Sequence, residues 1–298
     1  DHHDSQHGGQ PHVQEQETMR VRVGPRLEQR FMQALLWIFT SITVFVLLFI
    51  IYFVMKNGLP VLSFKFLIEN PLDMGREGGI FSTVVGTVAL TLLAVLIAAP
   101  LGVGSAIYLT EYTRENWVTR VIRFGASCLA GIPSIIFGLF GFILFVTALG
   151  FGWSLLSGGL TLAFMLLPTI IRTSEEAIKA VPYSYREVSF SLGSTRWQSV
   201  TRVVLPAALP GIVTGIILSI GRSIGETAAV IFTAGSALHV PTSIFSSSRT
   251  MSVHFYILAR EGISLSNAYG TAAVLVLAIL IINLVTYAMM NRFIRRYR

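Results

Sequence analysis

Six apolar runs, most of them long enough to cross a bilayer, leave this chain few ways to fold. They extend roughly from Phe31 to Met55, Ile80 to Leu109, Val121 to Ala148, Ser157 to Ile171, Ala207 to Ala234 and Tyr269 to Met290; the fourth is the shortest. A helix needs about 20 apolar residues to cross the hydrocarbon core. Inside lipid every backbone polar group must be paired within the protein, so only helices and closed barrels can span. Barrel strands would appear as short segments of alternating polarity, and these runs are long and continuous. The chain is 53% hydrophobic and 12% charged, against about 25% charged in soluble domains. The expected fold is an all-α integral membrane protein with six transmembrane helices.

The basic residues predict its orientation. One side of the membrane receives Arg20, Arg22, Arg26 and Arg30, then Arg114, Arg120 and Arg123, then Arg172, Lys179, Arg186, Arg196 and Arg202, and finally the tail from Arg292 to Arg298. The other side receives only Lys56, Lys65, Arg76, Arg249 and Arg260. Lys and Arg favour the cytoplasmic side, so both termini are expected inside. The charge is split among loops and tails, which argues against a nucleic-acid surface. The first run is too long for a signal peptide and is followed by no A-x-A cleavage site, so it is expected to remain as an anchor. The single Cys128 lies in an apolar run and is expected to pack there as a small residue. His2, His3, His7 and His12 admit a metal-binding tail; a plain polar tail, or a segment added ahead of Met19, accounts for them equally.

Two outer segments are long. Lys56 to Gly79, with Pro60, Pro71 and Gly78-Gly79, is expected to be irregular with a short surface helix. Gly235 to Asn267 could cover the mouth of a pathway, contact a partner, or be an ordinary surface loop. Phe151 to Gly159 is short and uncharged and should close a tight hairpin.

The segment from Arg172 to Leu205 is too organised for a linker. Thr173 or Ser174 could cap a helix with Glu175 and Glu176 in its first turn, where carboxylates suit the helix dipole. Pro182 would end it. Ser184 with Glu187 three residues on reads as a capping box. Gly193 would break that helix, and Ser194 or Thr195 would start another, with Trp197, Val200, Val203 and Val204 at helical spacing. Structureless loops of such length are uncommon unless functional. Short helices here can pack on the lipid surface or dock into a groove of a cytoplasmic protein.

Arg222 and Glu226 stand inside the fifth apolar run. An arginine at the centre of a span costs about 3 kcal/mol on insertion scales. Four residues apart on a helix, the two can meet, as a structural ion pair or as the lining of a pathway. Gly215, Gly221, Ser223 and Gly225 are small and suit close helix approach or a subunit interface. A guanidinium is always charged and presents a planar donor fork, which suits an oxyanion. A neighbouring carboxylate would weaken that hold and permit release. Arg172 could add a second basic station or serve as an interface anchor.

EVSFSLGSTRWQSVTRVVLPAALPGI resembles the conserved cytoplasmic loop of ABC importer permeases, with Glu187 and Gly193 in its spacing and Val203, Leu205 and Pro206 at its end. Val188 and Ser189 replace its two alanines. GRSIGETAAV resembles a signature of the membrane subunits of bacterial phosphate importers. NGLPVLSFKFL, GGIFSTVVGT, PLGVGSAIYLTEY and the stretch from Ile170 onward resemble the PstA family of those subunits. The resemblance covers nearly everything from Phe31.

It implies a type I ABC importer permease fold with cytoplasmic coupling helices. The chain then divides into a polar cytoplasmic tail (1–30), a first helix and outer loop (31–79), a permease core (80–290) and a basic tail (291–298). Glu187, Gly193, Ser194, Thr195, Arg196 and Trp197 would contact the ATPase; Arg222, Glu226 and Arg172 would serve the phosphate path. The implied partners are a PstC-like permease subunit, a pair of PstB-like ATPase subunits and a PstS-like phosphate-binding protein. ATP and Mg would be bound by the ATPase, because Lys56, Lys65 and Lys179 are the only lysines here and none lies in a phosphate loop. The chain is therefore expected to be a transport subunit and no enzyme. A permease for molybdate or sulfate, an ion-coupled secondary transporter or channel, and a scaffold without a pathway are the rival readings.

Overall fold

The computed structural model describes residues 25–296. The tail with His2, His3, His7 and His12, and with Arg20 and Arg22, lies outside the described residues. The chain divides into two compact units, residues 1–50 and 51–298. Most of the first apolar helix, α1 (Pro25–Gly58), belongs to the first unit. It carries Phe31, Leu36, Trp37 and Phe45 exposed, as a helix apolar on all sides does when lipid surrounds it.

The second unit opens with a short helix α2 (Phe64–Ile68), capped by Ser63 Oγ, which accepts from the Phe66 N–H at 3.1 Å. A two-residue antiparallel ribbon follows, β1 (Pro71–Leu72) against β2 (Glu77–Gly78). Then come α3 (Phe81–Ile107), α4 (Trp117–Ala130), α5 (Ser134–Gly141), α6 (Leu155–Lys179), α7 (Tyr183–Ser191), α8 (Arg196–Ser199), α9 (Leu205–Gly225), α10 (Ala228–Thr233), α11 (Met251–Arg260) and α12 (Leu265–Arg296). Among the described residues five helices are long and apolar enough to span, and α4 with the segment Ser134–Ala148 makes a sixth if that bent pair is one span.

The core lies where α3 packs along α6 and α6 against α9. Leu90, Ala94 and Ala98 of α3 meet Leu162, Leu166 and Ile170 of α6, with Ala229 and Val230 of α10 and Val253 of α11 closing the cluster. In lipid this packing gains little from removing apolar surface from water; close van der Waals fit holds it. Gly215 illustrates the fit, since a Cβ there would collide with the Thr173 side chain of α6.

Several expectations need correction. The third run is no straight helix: α4 and the segment after it meet at 102°. Gly131 ends α4 and Pro133 opens α5; proline offers no N–H and pushes the residue before it out of the α region. The fifth run ends at Gly225 and not at Ala234, because Glu226 is extended (φ −74°, ψ 127°). The fourth helix runs on to Lys179, so Thr173 and Ser174 are helix interior and cap nothing; Thr173 Oγ1 donates to the Thr169 carbonyl. Ser184 does not form a capping box with Glu187 either, since α7 already begins at Tyr183 behind Pro182. Cys128 is exposed and not packed. The outer segment from Gly235 is no loose surface loop: Ser248, Arg249, Thr250 and most of the first turn of α11 are buried.

Candidate functional site

Two clusters hold most of the residues singled out above, with Arg172 apart from both. The first surrounds the break after α9. Arg222 sits in the last turn of that helix, where the dipole favours a cation. Its side chain is exposed. Among the described residues it makes no hydrogen bond and no ion pair. The expected Arg222–Glu226 pair is absent because the helix stops between them and the i to i+4 geometry is lost. Glu226 instead serves the next helix: its Oε1 accepts from the Ala229 N–H at 3.3 Å. Its carbonyl accepts from Ser252 Oγ of α11 at 2.7 Å, and Ser223 Oγ donates to Thr91 Oγ1 of α3 at 3.3 Å. Backbone and carboxylate are thus held while the guanidinium is left free. A Cβ on Gly221 or Gly225 would meet no atom within 4 Å, so this face is open in the single chain, unlike Gly215.

Arg172 lies on α6, exposed, beside a cavity of about 180 Å³ that Arg123, Ser127, Glu175 and Lys179 also line. Glu175 is the hub there, with Lys179 Nζ at 2.8 Å and Arg123 Nε at 2.7 Å, while Arg123 also holds Glu115 at 2.8 Å. Arg172 joins none of these pairs. Thr173 of α6 lies level with Gly215 of α9, so Arg222, seven residues further on, stands about 10 Å beyond Arg172 along the helix axis. The structure does not bring the two arginines into one cluster.

The second cluster is the segment between α6 and α9. Gly193 has φ +79°, a conformation that glycine adopts without strain, and its N–H closes the end of α7 on the Phe190 carbonyl at 2.9 Å. Thr195 caps α8 in a true capping box with Gln198, Oγ1 accepting from the Gln198 N–H and Gln198 Oε1 from the Thr195 N–H. Ser194 Oγ donates to the Ser189 carbonyl at 2.7 Å. Glu187 and Arg196 are exposed, and Trp197 is 64% exposed. Between α7 and α8 lies an open groove of about 670 Å³ lined by Tyr185, Val188, Leu192, Gln198 and Arg202. Exposed aromatic and aliphatic side chains around such a groove are what a docking surface requires. A π-turn (Val200–Val204) joins α8 to α9, so one helical rod runs from Arg196 to Gly225.

Two features escaped the sequence reading. Arg249 is only 3% exposed and, among the described residues, forms no ion pair with a carboxylate. Its Nε donates to the Ser236 carbonyl at 2.9 Å and its Nη1 lies 3.4 Å from His254 Nδ1. Burial, and then the Arg249 charge, push His254 down to about 4; burial also lowers Arg249. Arg186 and Glu111 form the other, a largely covered ion pair between α7 and the π-turn Tyr108–Tyr112 that ends α3. Position alone could signal neither, since one needs the fold of an outer segment and the other pairs residues far apart in the chain.

Comparison with known proteins accords with this arrangement. Residues 98–298 match the family described as binding-protein-dependent transport system inner membrane component. The chain is 32% identical over 248 residues to "Probable ABC transporter permease protein YqgI" of Bacillus subtilis, covering 78% of this chain and 84% of the relative. It is 32% identical to "Phosphate transport system permease protein PstA 1" of Mycobacterium tuberculosis, covering 74% and 73%. In fold it resembles a chain of a bacterial alginate ABC transporter, with TM-score 0.63, 16% identity, and coverage of 93% of this chain and 98% of the other. A chain of the MetNI methionine ABC transporter gives TM-score 0.58 at 20% identity, covering 70% and 93%. With its matching span and its helical bundle, this chain belongs to the inner membrane components of binding-protein-dependent transport systems.

Proposed function

We propose that this chain is the permease subunit of an ATP-driven phosphate importer and forms half of the transmembrane path. The observation that carries the reading is the Arg222 guanidinium: exposed, unpaired among the described residues, and held in the last turn of a membrane helix. Family membership and relatives named as phosphate transport permeases support the choice of anion. Hydrolysis of ATP falls to a separate subunit.

In this reading a phosphate released at the outer face meets the donor fork of Arg222, which pairs two oxygens at once. Glu226, four residues on with its carboxylate held on the Ala229 N–H, would offset part of the positive charge and keep the stay short. Arg172, about 10 Å nearer the other end, offers a second contact on the way out. The exposed helices bearing Glu187, Gly193, Ser194, Thr195, Arg196 and Trp197 receive the ATPase, a pair of PstB-like subunits that bind ATP and Mg. A PstC-like subunit covers the open face at Gly221 and Gly225, and a PstS-like protein delivers phosphate. Both termini lie in the cytoplasm, as the excess of Arg there favours.

The test is uptake by the reconstituted complex with phosphate, sulfate and molybdate compared side by side. Phosphate should move and the other two should not. Preferred transport of sulfate or molybdate would reassign the substrate. Flux through this chain alone, without ATP, would favour a secondary transporter or channel.

A further inference from the structure

The helix α7 is poorly seated by apolar contact. Ser189 is its one buried residue, while Tyr183, Tyr185, Val188 and Phe190 are exposed. It packs on the π-turn Val200–Val204, and what ties it to α3 and α6 is Arg186. The guanidinium Nε lies 3.1 and 3.3 Å from the two Glu111 oxygens, and Nη2 reaches Oε1 at 2.6 Å. The same side chain donates from Nη1 to the Val181 carbonyl at 2.9 Å and from Nη2 to the Ile178 carbonyl at 3.1 Å. Both partners are nearly out of solvent, their side chains 12% and 11% exposed. One side chain therefore joins three elements: α7, the end of α3 and the end of α6. A charged fork so arranged is stiff, because each donor has a fixed direction.

We propose that the Arg186–Glu111 clamp is the positioning contact through which displacement of α7 reaches the membrane helices. This rests on the reading of α7 as the ATPase-facing helix. Movement of α7 pulls on Glu111, and so on α3, and on the last carbonyls of α6. Those two helices pack along each other and hold the core against α9, the helix that bears Arg222. Without the clamp, α7 can move while α3 and α6 do not follow.

The experiment uses the complete complex in proteoliposomes and measures anion taken up per ATP hydrolysed. Glu111→Gln and Arg186→Gln should each lower that ratio about tenfold, a coupling loss at the upper end for single residues, in complexes that still copurify. Arg186→Lys keeps the charge and loses the fork, and should fall in between. The exchanged pair, Arg186→Glu with Glu111→Arg, should recover much of the loss. An unchanged ratio in both single variants overturns the proposal. So does a loss of assembly in both single variants that the exchanged pair does not mend, because the contact would then be structural only. A wild-type complex inert toward phosphate would defeat the substrate reading instead, and the ratio would then be measured with the oxyanion that does stimulate hydrolysis.

Discussion

Arg222 stands just before the break after α9 and Arg249 just before α11, and the two differ in exposure and in bonding. Arg222 is exposed and paired with nothing among the described residues; Arg249 is buried and bound to a backbone carbonyl and a histidine. The residues next to Arg249 enter α11, whose Ser252 holds the carbonyl of Glu226, four residues beyond Arg222. A buried cation with no counter-ion is costly unless its donors are used, and Arg249 uses them to fasten the outer segment. A free cation at the end of a membrane helix contributes nothing of that kind to the fold. The lesson is that one type of charge builds the frame and the other is kept available by it.

Experiments can break this division. The largest effect is expected at Arg222. Replacing it with Gln removes a bidentate charge-assisted contact of about 3 kcal/mol, which lowers uptake about a hundredfold. Assembly and thermal unfolding of the complex should not change, and normal uptake by this variant would end the pathway role. Arg249→Ala should do the reverse. It leaves the Ser236 carbonyl unpaired and opens a cavity, so it should destabilise the protein by about 2 kcal/mol. Uptake per folded complex should persist; a stable but silent Arg249 variant would erase the contrast.

A smaller effect sharpens the picture of the Arg249 frame. His254 is held down to about 4, below its usual range, so the unfolded chain binds the proton first as pH falls. Stability is complete above about pH 6.5 and declines as pH drops toward 4, with about 1 kcal/mol lost between pH 7 and 5.5. Thermal melts of wild type and His254→Asn should diverge across that window; parallel curves would mean that His254 is not what titrates. The smallest effect concerns the open face. Gly221→Ala places a methyl group where it touches nothing in this chain, so helix propensity alone would stabilise α9 by up to about 1 kcal/mol. If a second permease subunit closes on that face, association with it should weaken instead. Copurification of the pair from detergent measures the difference.

How far the sequence was legible follows from the range of each signal. Spans are written locally, as runs of apolar side chains, and the helices lie over all six. The bend at Gly193 and the cap at Thr195 were equally readable, because glycine and threonine act on their own neighbours. The break at Glu226 was not. Thr227, Ala228 and Ala229 continue the apolar run, and only the hold of Ser252 on the Glu226 carbonyl reveals why the helix stops there. The kink after Gly131 was written in Pro133 but hidden by the hydropathy around it. Arg186 and Arg249 could be counted as loop charges, but burial decides what a charge does, and burial is settled by elements distant in the chain. The same limit made Arg222 and Glu226 look like partners when spacing was the only guide.

The unbroken rod from Arg196 to Gly225 has a mechanical corollary. It packs against α6, α3 and α12, and comes closest to α6 at Gly211 against Ala177 and Gly215 against Thr173. Pivoting there, the rod has arms of about 22 Å toward Arg196 and about 15 Å toward Gly225. Such a lever would convert a 3 Å push at its Arg196 tip into about 2 Å of opposite travel at its Gly225 tip, at the rise of an ideal helix. In the proposed transport role Arg222 would ride with that second tip, and the rod would complement the Arg186–Glu111 clamp, which acts on α3 and α6.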